Sequence, residues 1–176
     1  MLIAIGRRAK SEGLVDLLLE CHGRIRHFVQ LAKHIGQRRD VSASEVSAAC
    51  QSCERYFTEA LPLHVADEEL SLLPRLRGLS ADVDDALVTM HAQHREHEPL
   101  LRALLERLGA VRNAPDEAEL RVRLAFVANA LELEFERHLE LEEQRLFPAI
   151  RRDMPEEAQA CVIDELRARR QGPLAS

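Results

Sequence analysis

The sequence predicts an all-α fold, an up-down-up-down four-helix bundle followed by a short additional C-terminal helix. Three observations predict it. Of 176 residues 46% are hydrophobic and 31% charged, with seven glycines, seven prolines and no tryptophan, a composition rich in Leu, Ala, Glu and Arg and poor in turns. Apolar residues recur at three- and four-residue spacing through four long segments. The connections between those segments are short, which makes sequential helices antiparallel neighbours.

The first helix reads from about Ser11 to Gln37, with Leu14, Val15, Leu18, Ile25, Val29 and Ala32 as its buried stripe. A polar gap over 38–43 follows. Ser42 and Glu45 then form a capping box that opens a second helix, ending between Pro74 and Gly78. Ser80 and Asp82 start the third, in which Leu87, Met90, Leu101, Leu104 and Leu108 alternate by three and four; it stops near Asn113-Ala-Pro115. Pro99 falls inside it and should kink or locally split it just after a histidine cluster. Asp116 opens the fourth, with Leu120, Leu124, Val127, Leu131 and Phe135 in its stripe, and Asp153-Met-Pro155-Glu156 signals a short fifth. Residues 1–10 read as an N-terminal extension, 11–150 as the bundle, and 151–176 as the last helix and tail.

Charge and composition exclude several function classes. A net charge of −6 gives no general reason to bind nucleic acid, and Arg167, Arg169 and Arg170 read as a solvated helix end. The apolar run at the N-terminus is too short for a signal peptide and nothing approaches the ~18 apolar residues of a membrane span, so a cytoplasmic protein is expected. Four cysteines in such a chain are expected as thiols. Cys50 and Cys53 have redox-motif spacing, but they lie close to the apolar stripe of Phe57 and Leu61 and read as core side chains.

Two stretches repeat one chemical pattern. His64-Val-Ala-Asp-Glu68 leads to Leu73-Pro74, and His138-Leu-Glu-Leu-Glu142 leads to Phe147-Pro148; each has a glutamate four residues and a proline ten residues after the histidine. A four-residue helical step turns the side chain by only ~40° and advances it about 6 Å, so each helix offers an imidazole and a carboxylate to one buried point. Imidazole plus carboxylate from facing helices is how bundles build non-haem iron and manganese centres.

The other two helices should contribute. His22 interrupts the seam of Val15, Leu18, Ile25 and Val29, whereas His27 and His34 are rotated by roughly 120° or more and read as surface residues. On the third helix His91, His94 and His97 compete. His94 is centred on the seam, with Leu87, Met90 and Leu101 at the matching positions, and is the preferred ligand; His97 and His91 flank it by about 60° and remain alternatives. His22 to His64 is 42 residues and His94 to His138 is 44, so the chain reads as two similar helical hairpins. Glu69 and Glu143, turned some 100° further round, read mainly as solvent-facing. Burying four histidines without a partner would cost several kcal/mol each, which a bound cation removes.

The order His22, His64-x-x-x-Glu68, His94, His138-x-x-x-Glu142, with the Glu-Glu pairs and Leu/Phe-Pro endings, resembles the hemerythrin-like (HHE cation-binding) domains over about Ser11 to Ile150. The resemblance implies two iron ions in a diiron centre, with imidazoles as terminal ligands, Glu68 and Glu142 as bridges, and an oxo or hydroxo bridge. It also implies a small ligand: dioxygen, peroxide or nitric oxide. Oxygen-carrying hemerythrins use a fifth histidine four residues after the first on the third helix; here that residue is Glu98. The set of four histidines and two glutamates looks more like the relatives tied to iron-centre repair and nitrosative stress, or to iron and oxygen sensing. Two other readings stay open: a non-catalytic module whose occupancy changes a partner surface, and a bundle stabilised by zinc or manganese.

Overall fold

A computed structural model describes residues 13–38 and 40–171. The expected extension at 1–10, and the expected helix start at Ser11, lie outside the described residues. The chain is all-helical within them: α1 (Leu14–Gln37), α2 (Ala43–Arg55), α3 (Leu61–Ala66), α4 (Leu73–Leu76), α5 (Ala81–Asn113), α6 (Ala118–Leu141), α7 (Phe147–Asp153) and α8 (Glu156–Gln171). Two π turns, Tyr56–Ala60 and Asp67–Leu72, join α2, α3 and α4 into one rod, and a third, Glu142–Leu146, joins α6 to α7.

The π turns have a sequence cause. Pro62, Pro74 and Pro148 each sit at the start of the α-helical piece that follows one. A proline ring inside a helix clashes with the carbonyl four residues back and removes one hydrogen bond. Widening the preceding turn relieves that clash without ending the rod. Pro99 has no such turn, and α5 runs unbroken across it, so the expected split does not occur.

Each rod packs on its sequence neighbours, α1 on α2, α2 on α5 and α5 on α6, and α6 closes the ring on α1. Ser42 caps α2 as the sequence indicates, its hydroxyl accepting from the Glu45 N–H while the Glu45 carboxylate accepts from the Ser42 N–H at 2.9 Å. The predicted stripe of α1 is buried throughout. The core falls into two apolar halves. One holds Ile25, Val29, Leu61, Leu104, Leu131 and Phe135; the other holds Leu14, Leu18, Leu72, Leu87, Met90 and Ile150. A layer of buried His and Glu side chains lies on the same helices between them.

Gly36 sets the spacing of α1 and α6. A Cβ there would stand 2.6 Å from both the Ala125 Cβ and the Arg121 carbonyl oxygen. Gly36→Ala is expected to push the helices apart and cost about 1–3 kcal/mol, measured as a lowered urea midpoint with unchanged slope. Nearby, buried Arg121 donates to the backbone carbonyls of Pro115 at 2.6 Å and Arg38 at 2.9 Å, tying the end of α1 to the α5–α6 connection.

The additional C-terminal helix forms as expected, with 16 residues, and it docks through Val162 and Leu166, but the charges at its end depart from expectation. Arg169 and Arg170 are not free charges of a solvated end: both pair with the fully buried Asp67, Arg170 at 2.5 Å from an otherwise exposed position, and Arg169 also donates to the Ser71 hydroxyl. Arg167 stands in solvent, 4.0 Å from Asp164 on its own helix. The buried Asp67 carboxylate has to be paired, and these two guanidinium groups are its partners.

Candidate metal centre

Six side chains meet in the polar layer. His22, His64, Glu68 and Glu142 form one group whose candidate ligand atoms lie within 4.8 Å of one another; Glu68, His94, His138 and Glu142 form a second. All six residues proposed from the sequence are in these groups, and both glutamates are in both. Each glutamate divides its oxygens between the two halves. Glu68 places Oε1 at 2.7 Å from His64 Nε2 and Oε2 at 3.1 Å from His94 Nε2. Glu142 places Oε1 at 3.2 Å from His138 Nε2 and Oε2 at 2.9 Å from His22 Nε2. The pairing reproduces the two hairpins, His22 with His64 and His94 with His138.

The donor set fits a cation. His64 Nε2, both Glu68 oxygens, His94 Nε2 and Glu142 Oε1 are buried and make no hydrogen bond, although several approach within hydrogen-bond distance. Buried polar atoms that converge without bonding are costly unless a positive ion sits among them. Neutral imidazole nitrogens with carboxylate oxygens are the donors that suit iron, manganese or zinc.

The sequence pattern of the hemerythrin HHE cation binding domain matches residues 13–150. The chain belongs to the hemerythrin HHE cation-binding family. No curated protein matches it. This hemerythrin-like domain therefore carries the family's cation-binding architecture on a helical bundle, and none of its described helices is long and apolar enough to cross a membrane.

The outer edges of the imidazoles show what sequence reasoning missed. Glu143 Oε1 lies 2.8 Å from His22 Nδ1, and Glu69 Oε1 lies 2.9 Å from His94 Nδ1. Neither glutamate is the solvent-facing residue expected; a position 100° round from the site faces the adjacent helix, not open water. In each Glu-Glu pair the first carboxylate enters the site and the second crosses to hold the histidine of a neighbouring helix. Arg26 Nη1 donates to Glu143 at 2.8 Å, and His91, itself half exposed, lies with Nδ1 3.0 Å from Glu69. The Gln93 amide oxygen accepts from His138 Nδ1 at 3.0 Å. His64 differs: its Nδ1 is buried with no hydrogen-bond partner, and it shares a cavity with Cys21, Arg24 and Arg170.

These acceptors put a proton on Nδ1 and aim the Nε2 lone pair at the site. Glu143→Gln keeps the volume and removes the charge behind His22. It is expected to weaken metal binding about 10–100-fold with little loss of helicity, measured by competition against a chromogenic chelator.

The site's protons already do part of a cation's work. Burial pushes His94 down, but Glu68 and then Glu69 outweigh it and carry His94 up to about 9. Burial also opposes the charged form of His64, and Glu68 more than offsets this, so His64 stands well above the ordinary range. His138 is pushed down to about 3, first by burial and then by the neighbouring histidines. Burial and the charge of Glu68 together raise Glu142 to about 7.

The remaining histidines and cysteines sort cleanly. His27 and His34 are exposed as expected. Cys50 and Cys53 are fully buried, and burial raises their thiols to about 11 and about 12, which suits core residues rather than a redox pair. His94, not His91 or His97, joins the ligand groups.

Proposed function

We propose that His22, His64, Glu68, His94, His138 and Glu142 hold two iron ions, with Glu68 and Glu142 bridging them. In this reading the protein binds or reacts with a small oxidant: dioxygen, peroxide or nitric oxide. The observation that carries it is the division of each glutamate's oxygens between two histidine pairs. When bound, a non-haem iron pair supplies redox cycling and open coordination positions. The chain supplies the rest. Glu143, Glu69 and Gln93 fix three imidazoles, and Phe147, with its ring centroid 5.0 Å from that of His22, screens one side from water.

Space at the site favours a small reactant. The cavity beside His64, His94 and His138 has a volume of about 30 Å³, room for little more than one water-sized molecule. A groove of about 640 Å³ runs outside Glu69 and His91, away from the convergent nitrogens. The test is anaerobic iron loading followed by dioxygen, hydrogen peroxide and nitric oxide in separate titrations. A change in the optical spectrum with at least one supports the reading; no change with any of the three contradicts it.

A second reading, a non-catalytic metal-responsive module, is favoured by one feature. The polar layer divides the core, so occupancy should change the stability of the whole bundle. A large thermal stabilisation by iron without turnover of any of the three oxidants would select it.

A further inference from the structure

Of the four histidines in the proposed site, His64 is the one whose outer edge the chain leaves unpartnered. Nδ1 of His22, His94 and His138 meets an acceptor at 2.8, 2.9 and 3.0 Å, from Glu143, Glu69 and Gln93 in turn. His64 is just as buried, with Nε2 directed at Glu68, and its Nδ1 has no hydrogen-bond partner among the described residues. Such a buried group calls for an acceptor.

Beside the ring lies a cavity of about 350 Å³, lined by His64 together with Cys21, Arg24 and Arg170. Glu68, which faces Nε2, does not line it, so the cavity lies on the Nδ1 side. Its charge is positive. Arg169 and Arg170 share the single buried carboxylate of Asp67, which leaves one of their two charges without a counterpart. Glu165 nearby pairs with Arg75 at 2.6 Å, and Arg24 meets an acid loosely, Glu20 at 3.9 Å. Cys21 Sγ accepts from Arg24 Nη2 at 2.9 Å and from Arg170 Nη2 at 3.9 Å. A thiol sulfur is a weak acceptor, and each guanidinium has five N–H donors, so donors remain for a stronger one.

We infer that this cavity binds one small free oxyanion of the sulfate or phosphate type, held by Arg24 and Arg170, with one oxygen accepting from His64 Nδ1. This rests on the proposed metal site in one respect: a cation at Nε2 puts the imidazole proton on Nδ1. The anion then does for His64 what Glu143 and Glu69 do for His22 and His94. Arg170 lies beyond residues 13–150, the stretch that matches the family, so α8 brings this site to the domain.

The test is a crystal of the zinc-loaded protein grown with selenate, a sulfate analogue located by its anomalous signal, together with sulfate titrations at constant ionic strength balanced by chloride. The expected map places selenate within hydrogen-bond distance of His64 Nδ1 and of both guanidinium groups. Arg24→Gln, which leaves the Asp67 pairs intact, should weaken sulfate binding about tenfold, and Arg170→Gln at least as much. Saturating sulfate should raise zinc affinity about tenfold in the parent and by less than about twofold in Arg24→Gln. Cys21→Ala should keep sulfate binding within about twofold of the parent. No selenate in the cavity, or a peak that persists in both arginine variants as an adventitious ion only, would overturn the inference. So would a loss of zinc affinity in Cys21→Ala with no effect of sulfate on the parent, because the thiol sulfur would then be the acceptor for His64. Selenate is located in metal-free crystals as well, and zinc per chain is counted on the same samples, so a failed metal site and a failed anion site are read separately.

Discussion

If the site holds the proposed two ions per chain, Glu68→Gln is expected to lower bound metal to fewer than one. Glu68 contacts both halves of the site, with Oε1 toward His64 and Oε2 toward His94. The amide keeps the volume but removes a full negative charge and turns one oxygen donor into an N–H that repels a cation. Losing a carboxylate behind a single histidine costs about 10–100-fold in affinity, so a residue facing both ions should cost more than ~100-fold. Glu142→Gln should behave alike, because its two oxygens are divided the same way. Metal analysis after dialysis checks both, with exposed Glu59→Gln as the control. Unchanged stoichiometry in both site variants would show that the carboxylates do not bridge.

Metal loading is expected to stabilise the bundle by an amount that grows as pH rises from 7 to 9. At a thousandfold excess over Kd each site adds about 4 kcal/mol, roughly 10 °C in Tm for a chain of this size. The pH trend follows from the imidazoles. His94 is raised from 6.5 to about 9, so its contribution to the metal-free fold is fully present below pH 6.5 and is lost as pH passes about 9. That loss is on the order of 3 kcal/mol. A proton leaving His94 no longer competes with the cation, so metal affinity rises over the same window. Below pH 7 the trends oppose each other: Glu142, raised to about 7, loses stability as pH rises, while His138, lowered to about 3, gains it. Thermal melts with and without metal at pH 7, 8 and 9 check the divergence. Parallel curves would contradict it.

The fold and the six central residues were legible because each depends on one helix at a time. The seam around His22 and the four-residue step from His64 to Glu68 follow from 3.6-residue periodicity, and the structure places them as that periodicity requires. Features that depend on a second helix were not legible. Glu69 and Glu143 were assigned to solvent because a single helical wheel has no neighbour on it; their doubling in both motifs, with Arg26 one turn after His22, was the available signal. Arg169 and Arg170 find a partner in Asp67, about a hundred residues away, and no local pattern announces that. Each of the three π turns precedes a proline; the matching positions of Pro74 and Pro148 were visible, but they were read as endings and not as the cause of a wider turn, and Pro62 belongs to neither repeat. Pro99 shows the limit of that cause, since α5 carries it without interruption.

We propose that two metal ions share Glu68 and Glu142 inside this hemerythrin-like bundle. Elemental analysis of metal per chain after anaerobic iron loading, with the absorption spectrum taken before and after air, tests it most directly. About two irons per chain and a near-ultraviolet band of a bridged ferric pair after oxidation are expected. One iron or none per chain, or a full complement of zinc with no spectral change, would contradict it.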